Sequence, residues 1–245
     1  MVAALVSKII GLIYKSPLSA TLGNESFGCF SFAQNVYLIL LMIASYSIPQ
    51  AVSKIMAERI AFKRYRDAQR IFKGALLYAV IVGGVVAIFC VVGAPILIPD
   101  SMANARLALQ FLSPTIFLSG ILGVFRGYFQ AYRNMLPTSL SQIFEQIAVA
   151  VVALVMANFM VNYFADAETD VLRSWSAAGA TMGTGAGVAT ALIFMLLVYW
   201  VNRKIIGKKI EKDTVSVNES YSSVMKNIIL IVSPIILSSF LYNVN

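Results

Sequence analysis

The sequence contains no histidine and only two cysteines, and just 12% of its 245 residues are charged. Without histidine there is no Ser/His/Asp triad, no imidazole proton relay and no imidazole metal ligand. Cys29 and Cys90 both lie in apolar runs and read as small buried packing residues. No nucleophile–base pair or metal-ligand set is visible, so neither an enzyme nor a bound cofactor is expected. A soluble domain carries roughly 25% charged residues. A water-exposed surface on a chain of this length could not be covered by so few. What fills the sequence instead is apolar: 59% of residues are hydrophobic and the mean hydropathy is +0.81. Runs of about 20 such residues are the mark of helices that cross a bilayer.

Five runs are complete, at 27–48, 74–98, 107–125, 140–164 and 177–201. A shorter one at 1–14 contains Lys8 and continues to Leu22, and another at 228–242 stops near the end. The reading is an all-α polytopic transmembrane bundle. Helices at about 1–22, 27–48, 74–98, 107–125, 138–164 and 175–201 make a six-helix lobe over 1–205. A basic linker follows at 206–226, and a seventh helix starts within 227–245. The first apolar run has no basic stretch before it and no small-residue cleavage site, so it reads as a helix rather than a signal peptide. The ragged ends lead to the expectation that the chain is part of a longer transporter and lacks a C-terminal lobe.

The net charge of +8 belongs to topology. Fifteen of the 19 Lys and Arg residues fall in alternate loops, at 54–73, 126–133 and 203–226. The intervening loops are nearly free of them, and one carries Asp166, Glu168 and Asp170. Basic loops stay in the cytoplasm, which places the N-terminus inside. Nucleic acid is not an expected partner; membrane lipids are. Apolar residues among the charges of 54–73 suggest a cytoplasmic helix along the headgroups, either a lipid sensor or an ordinary connector.

Ionisable groups inside a membrane are costly and mark function by default. Glu145 lies about two turns into its helix and shares a face with Gln142. It reads as a gating or coupling carboxylate, or as one half of an ion pair with Arg126. Arg126 ends the preceding helix, where it either grips phosphate oxygens or anchors at the headgroups. Lys15, just before Pro17, is either a buried anion site at a helix break or a snorkelling cation. Gln34, Asn35 and Tyr37 form a polar cluster suited to a cavity wall, and Gln130 joins Gln142 and Glu145 as a gating candidate. Gly179, Gly183 and Gly187 recur every fourth residue and read as close helix packing. Pro49 and Pro137 read as helix ends, and Pro114 and Pro234 as hinges within spans.

Several segments together point to a family. They are Ser47-Ile48-Pro49-Gln50-Ala51-Val52-Ser53-Lys54, Arg70-Ile71-Phe72-Lys73, Phe125-Arg126-Gly127-Tyr128-Phe129-Gln130, and Pro137-Thr138-Ser139-Leu140-Ser141-Gln142-Ile143-Phe144-Glu145-Gln146. Their order and spacing resemble the polysaccharide-biosynthesis and stage V sporulation protein B group. That group is related to the MurJ-type lipid II flippases of the multidrug/oligosaccharidyl-lipid/polysaccharide (MOP) exporter superfamily. The resemblance implies a two-lobed alternating-access transporter that moves an undecaprenyl-pyrophosphate-linked sugar from the inner to the outer leaflet of a bacterial plasma membrane. It implies phosphate contacts at Lys15 and Arg126, with Glu145 gating or pairing; Gln34, Asn35 and Tyr37 join them as substrate-binding candidates from the polar cluster. Lys15 stands where members carry Arg, which keeps the charge but loses the bidentate fork. Ala148-Val149 stand where members often have a further Arg. A cation-coupled multidrug exporter of the same superfamily is the alternative, and an inactive fragment or scaffold another.

Overall fold

The computed structural model describes residues 2–217 and 220–244, with side chains left undescribed for 2–4, 43, 46 and 236–244. The described elements are helical throughout. They are α1 (Val2–Ile13), α2 (Lys15–Leu41), a π-helical turn (Met42–Tyr46), α3 (Ile48–Ala61), α4 (Tyr65–Val92), the single turn α5 (Ala94–Leu97), a 3-10 turn (Asp100–Met102), α6 (Ala105–Ala131), α7 (Leu136–Tyr163), α8 (Thr169–Glu211) and α9 (Tyr221–Val244). Among them α4, α6, α7 and α8 are long and apolar enough to cross a membrane. The first two expected spans are helical but fall outside that group. Pro17 has no amide hydrogen for the Ile13 carbonyl, so α1 ends after 12 residues. Polar residues such as Glu25, Gln34 and Asn35 dilute α2.

Four boundaries differ from expectation. The expected loop between the first two helices does not exist: Gly23 alone is non-helical, at φ 72° and ψ 168°. Only a residue without Cβ adopts that conformation at little cost, so one glycine replaces a loop. The expected cytoplasmic helix over 54–73 is two helix ends meeting at a tight turn around Lys63, whose φ is 60°. Most of its apolar residues face the protein interior, with Phe62, 65% exposed, the exception. Ile55, Met56, Ile71 and Phe72 are buried in the bundle. The last expected span runs ten residues past Val201 to Glu211, as a charged extension, and α9 starts at Tyr221 rather than 227. The linker between them is therefore short.

That linker is docked. Asp67, fully buried at the start of α4, pairs with Arg64 at 2.7 Å and accepts the Val217 amide at 3.1 Å. Asp213 accepts the Arg66 amide at 2.7 Å and the amides of Val215 and Ser216 at 2.9 and 3.0 Å. Burial works to raise the Asp213 pKa. Hydrogen bonds from the Ser216 hydroxyl and the backbone of Arg66, Val215 and Ser216 outweigh it and hold the carboxyl well below the usual carboxylate range. A depressed folded-state pKa stabilises the fold above the unfolded value of about 3.9 and ceases to do so as pH falls through the folded value. Asp213→Asn is therefore expected to lower thermal stability at pH 7, and the gap to the parent protein should narrow below about pH 4. A gap that is constant from pH 7 to pH 3 would refute this.

The core has two parts. At the end holding the basic turns, Phe72, Phe125, Tyr128 and Tyr199 form a ring cluster with centroids 4.7–5.6 Å apart. Lys209 of α8 caps this end over the Tyr132 ring at 5.3 Å. At the opposite end Arg173 pairs with Glu25, and Asn104 donates to Asp170 at 2.9 Å. These contacts tie the starts of α6 and α8 to the Gly23 turn. The glycine stripe of α8 lies on α7 as expected. A Cβ at Gly183 would sit 2.5 Å from the Ala153 Cβ, and one at Gly187 would be 2.8 Å from the Glu145 carbonyl.

Candidate functional site

The helical repeat of Phe125-Arg126-Gly127-Tyr128-Phe129-Gln130 separates three surfaces of α6. Phe125, Tyr128 and Phe129 enter the ring cluster. Gly127 takes the α3 backbone, where a Cβ would stand 2.7 Å from the Pro49 carbonyl. Arg126 and Gln130, four apart, face a cavity. The cavity holds about 520 Å³ and lies between α2, α3, α6, α7 and α8. Its size is within the roughly 300–1,000 Å³ of small-molecule sites.

Arg126 and Glu145 meet in this cavity. Nη2 of Arg126 lies 2.6 Å from Oε2 of Glu145, with 16% and 19% of the two side chains exposed. The Arg126 Nε donates to Ser141 Oγ at 3.1 Å, and Ser141 donates to the Thr138 carbonyl at 2.7 Å. The guanidinium is thus held at two points by α7. Glu145 thus both lines the cavity and forms the ion pair with Arg126. Gln142 and Gln130 line the same cavity, as do Gln34 and Tyr37. Tyr37 is only 2% exposed, so it forms wall rather than surface.

Lys15 and Asn35 are not in that cavity. They line a second one of about 430 Å³ between α1, α2 and α7, which also contains Lys8. The two cavities share Tyr14, Gln34, Leu38 and Gln146 as walls. The predicted residues are therefore neighbours, divided between two chambers.

Sequence reasoning passed over several lining residues: Lys8, Gln50, Gln146, Ser45 and Thr138. Gln146 was adjacent to Glu145 and within reach of the same argument. Ser45 falls in the π-helical turn, and such turns cluster at functional sites, but nothing in Met42–Tyr46 signals one. The Gly123–Gly127 pair on α6 is a second small-xxx-small stripe, legible by the rule applied to α8.

The family model for polysaccharide biosynthesis proteins matches residues 1–244. The chain belongs to this family. It is 24% identical over 148 residues to the lipid II flippase MurJ of Bacillus subtilis, a match covering 56% of this chain and 27% of that protein. It is 23% identical over 143 residues to stage V sporulation protein B of the same bacterium, covering 58% of this chain and 28% of the relative. Among solved structures, an outward-facing multidrug resistance MATE transporter of the MOP superfamily superposes with a TM-score of 0.73 at 16% identity. A MOP superfamily transporter from Pyrococcus furiosus gives 0.72 at 15% identity. Both superpositions cover 98% of this chain and about half of the other. At such identities the likeness establishes the fold, an all-α membrane bundle of MOP type. The relatives with named activities are transporters, as the reading of a non-enzyme requires.

Proposed function

We propose that the chain is the N-terminal lobe of a flippase that carries an undecaprenyl-pyrophosphate-linked sugar from the inner to the outer leaflet by alternating access. The six-helix lobe is residues 1–205; the linker and α9 lead to a second lobe. The basic ends of the helices lie in the cytoplasm, with the N-terminus, on the strength of the charge alternation. The observation that carries the proposal is a pair of polar chambers, one lined by two lysines without an ion pair among the described residues, in a bundle with four helices long and apolar enough to cross a bilayer. Cations in a low-dielectric site attract phosphate far more strongly than in water. The lipid tail remains in the bilayer while the headgroup crosses between lobes.

In this reading Lys15 contacts phosphate directly. Arg126 reaches it only by exchange from Glu145, which makes the pair a gate. A drug exporter coupled to cations is disfavoured because Glu145 is the only carboxylate among the residues lining either chamber, and Arg126 neutralises it. Affinity of the purified full-length protein for lipid-linked sugar is expected to fall at least tenfold with Lys15→Ala and with Arg126→Ala. Unchanged affinity in both variants would sink the proposal.

A further inference from the structure

The two chambers differ in charge and in hydrogen-bonding chemistry, and the difference orients a ligand. The smaller chamber is lined by Lys8 of α1 and by Lys15, the first residue of α2. Both are exposed, no acidic side chain lines this chamber, and neither lysine forms an ion pair with another described residue. Its formal charge is +2. Leu12, on its wall, is 70% exposed and continues into the apolar face of α1 formed by Leu5, Ile9 and Ile13.

The larger chamber has no net charge, because Arg126 and Glu145 cancel. Its polar lining is dominated by carboxamides: Gln34, Gln50, Gln130, Gln142 and Gln146. Apart from Gln34, which accepts from Thr184 at 3.5 Å, these side chains make no hydrogen bond with another described residue. Two hydroxyls on the same wall, Ser45 and Thr138, are 5% and 7% exposed and also lack a partner among the described residues. Buried polar groups are ordinarily hydrogen-bonded. Two such hydroxyls without a partner, beside half-buried and exposed glutamines whose amides are open to a ligand, suit one rich in hydroxyls and amides and without charge.

Resting on the flippase reading, we infer that the bound headgroup is divided between the chambers: Lys8 and Lys15 hold the pyrophosphate, the glutamine-lined chamber holds the sugar, and Arg126 leaves Glu145 for the phosphate only as the headgroup crosses. The lipid leaves over Leu12. Gln34 and Gln146, which border both chambers, stand at the junction between phosphate and sugar. Lys8 becomes a phosphate ligand, and Gln130 and Gln142 become sugar ligands that also report whether a sugar is attached.

The test compares two probes on the purified full-length protein: undecaprenyl pyrophosphate, and the same lipid carrying a disaccharide of N-acetylated hexosamines. Lys8→Gln/Lys15→Gln should weaken both probes at least tenfold. Gln130→Met/Gln142→Met should weaken the sugar-bearing probe at least tenfold and the bare lipid less than twofold. Should the glutamine pair fail to fold, Gln50→Met at the rim gives the same comparison. Equal losses for both probes in the glutamine variant, or none, overturn the division. So does a parent protein that binds the bare lipid as tightly as the sugar-bearing one. A parent protein that binds neither probe overturns the flippase reading itself, and this inference with it.

Discussion

Arg126→Ala should destabilise the protein by about 3–5 kcal/mol and abolish transport, whereas Arg126→Ala/Glu145→Gln should recover most of the stability and none of the transport. The reasoning starts from burial. Both side chains are more than four-fifths buried, and their contact is 2.6 Å. Removing one partner leaves a charge with no counter-ion in a poorly solvated site, and that costs about 3–5 kcal/mol. Neutralising both removes the uncompensated charge. The pair is then worth little to stability, but its exchange with phosphate is gone. Thermal unfolding of the four proteins of this cycle measures the coupling. Additive effects, within about 0.5 kcal/mol, would show that the two residues act independently.

The second large effect is at Gly183. A Cβ there would meet the Ala153 Cβ at 2.5 Å and the Ala153 amide nitrogen at 2.6 Å. Backbone cannot move aside as a flexible side chain does, so α7 and α8 must separate. Overpacking of a tight core costs roughly 1–3 kcal/mol, and Gly183→Leu should reach or exceed the upper figure. Because α7 carries Glu145, Gln142 and Gln146, separation also opens the site. Gly84→Ala is the internal control. Nothing lies within 4 Å of its Cβ position, and alanine is favoured over glycine in a helix interior by about 1 kcal/mol. It should be neutral or stabilising. Equal unfolding temperatures for Gly183→Leu and Gly84→Ala would refute the close approach.

Much of this was legible because each signal was local. Apolar runs at 107–125 and 140–164 mark α6 and α7, since helical backbone in a bilayer must satisfy its own hydrogen bonds. The spacing of Gly179, Gly183 and Gly187 gave the face of α8 that meets α7. The proximity of Arg126 and Glu145 was accessible because a short turn joins their helices. What escaped depends on distance or on a single backbone angle. Asp67 and Asp213 stand 146 positions apart, and no periodicity announces that each accepts amides from the other's segment. The turn at Gly23 is followed by Asn24, Glu25 and Ser26, which read as a loop, yet one positive φ suffices and all three are helical. The division of Lys15 from Arg126 followed from how α1 settles on α7, where Gly11 meets the Gln146 side chain. Sequence placed both cations in one cavity, and packing gave them one each.

The basic loops also bear on the site. Gln50, Gln130 and Thr138, which line the larger chamber, lie within a few residues of these loops in sequence. In the proposed orientation this side of the chamber faces the cytoplasm. The charged residues that line the two chambers are Lys8, Lys15, Arg126 and Glu145, and these are the ones the account assigns to transport.

The most direct test is the accessibility of lipid-linked sugar precursors in the outer leaflet of cells depleted of the full-length protein. The account predicts that precursor accumulates in the inner leaflet, that outer-leaflet precursor falls, and that Arg126→Ala fails to restore it where the parent gene succeeds. Outer-leaflet precursor that is unchanged on depletion, with no second transporter of the family in the cell, would contradict it.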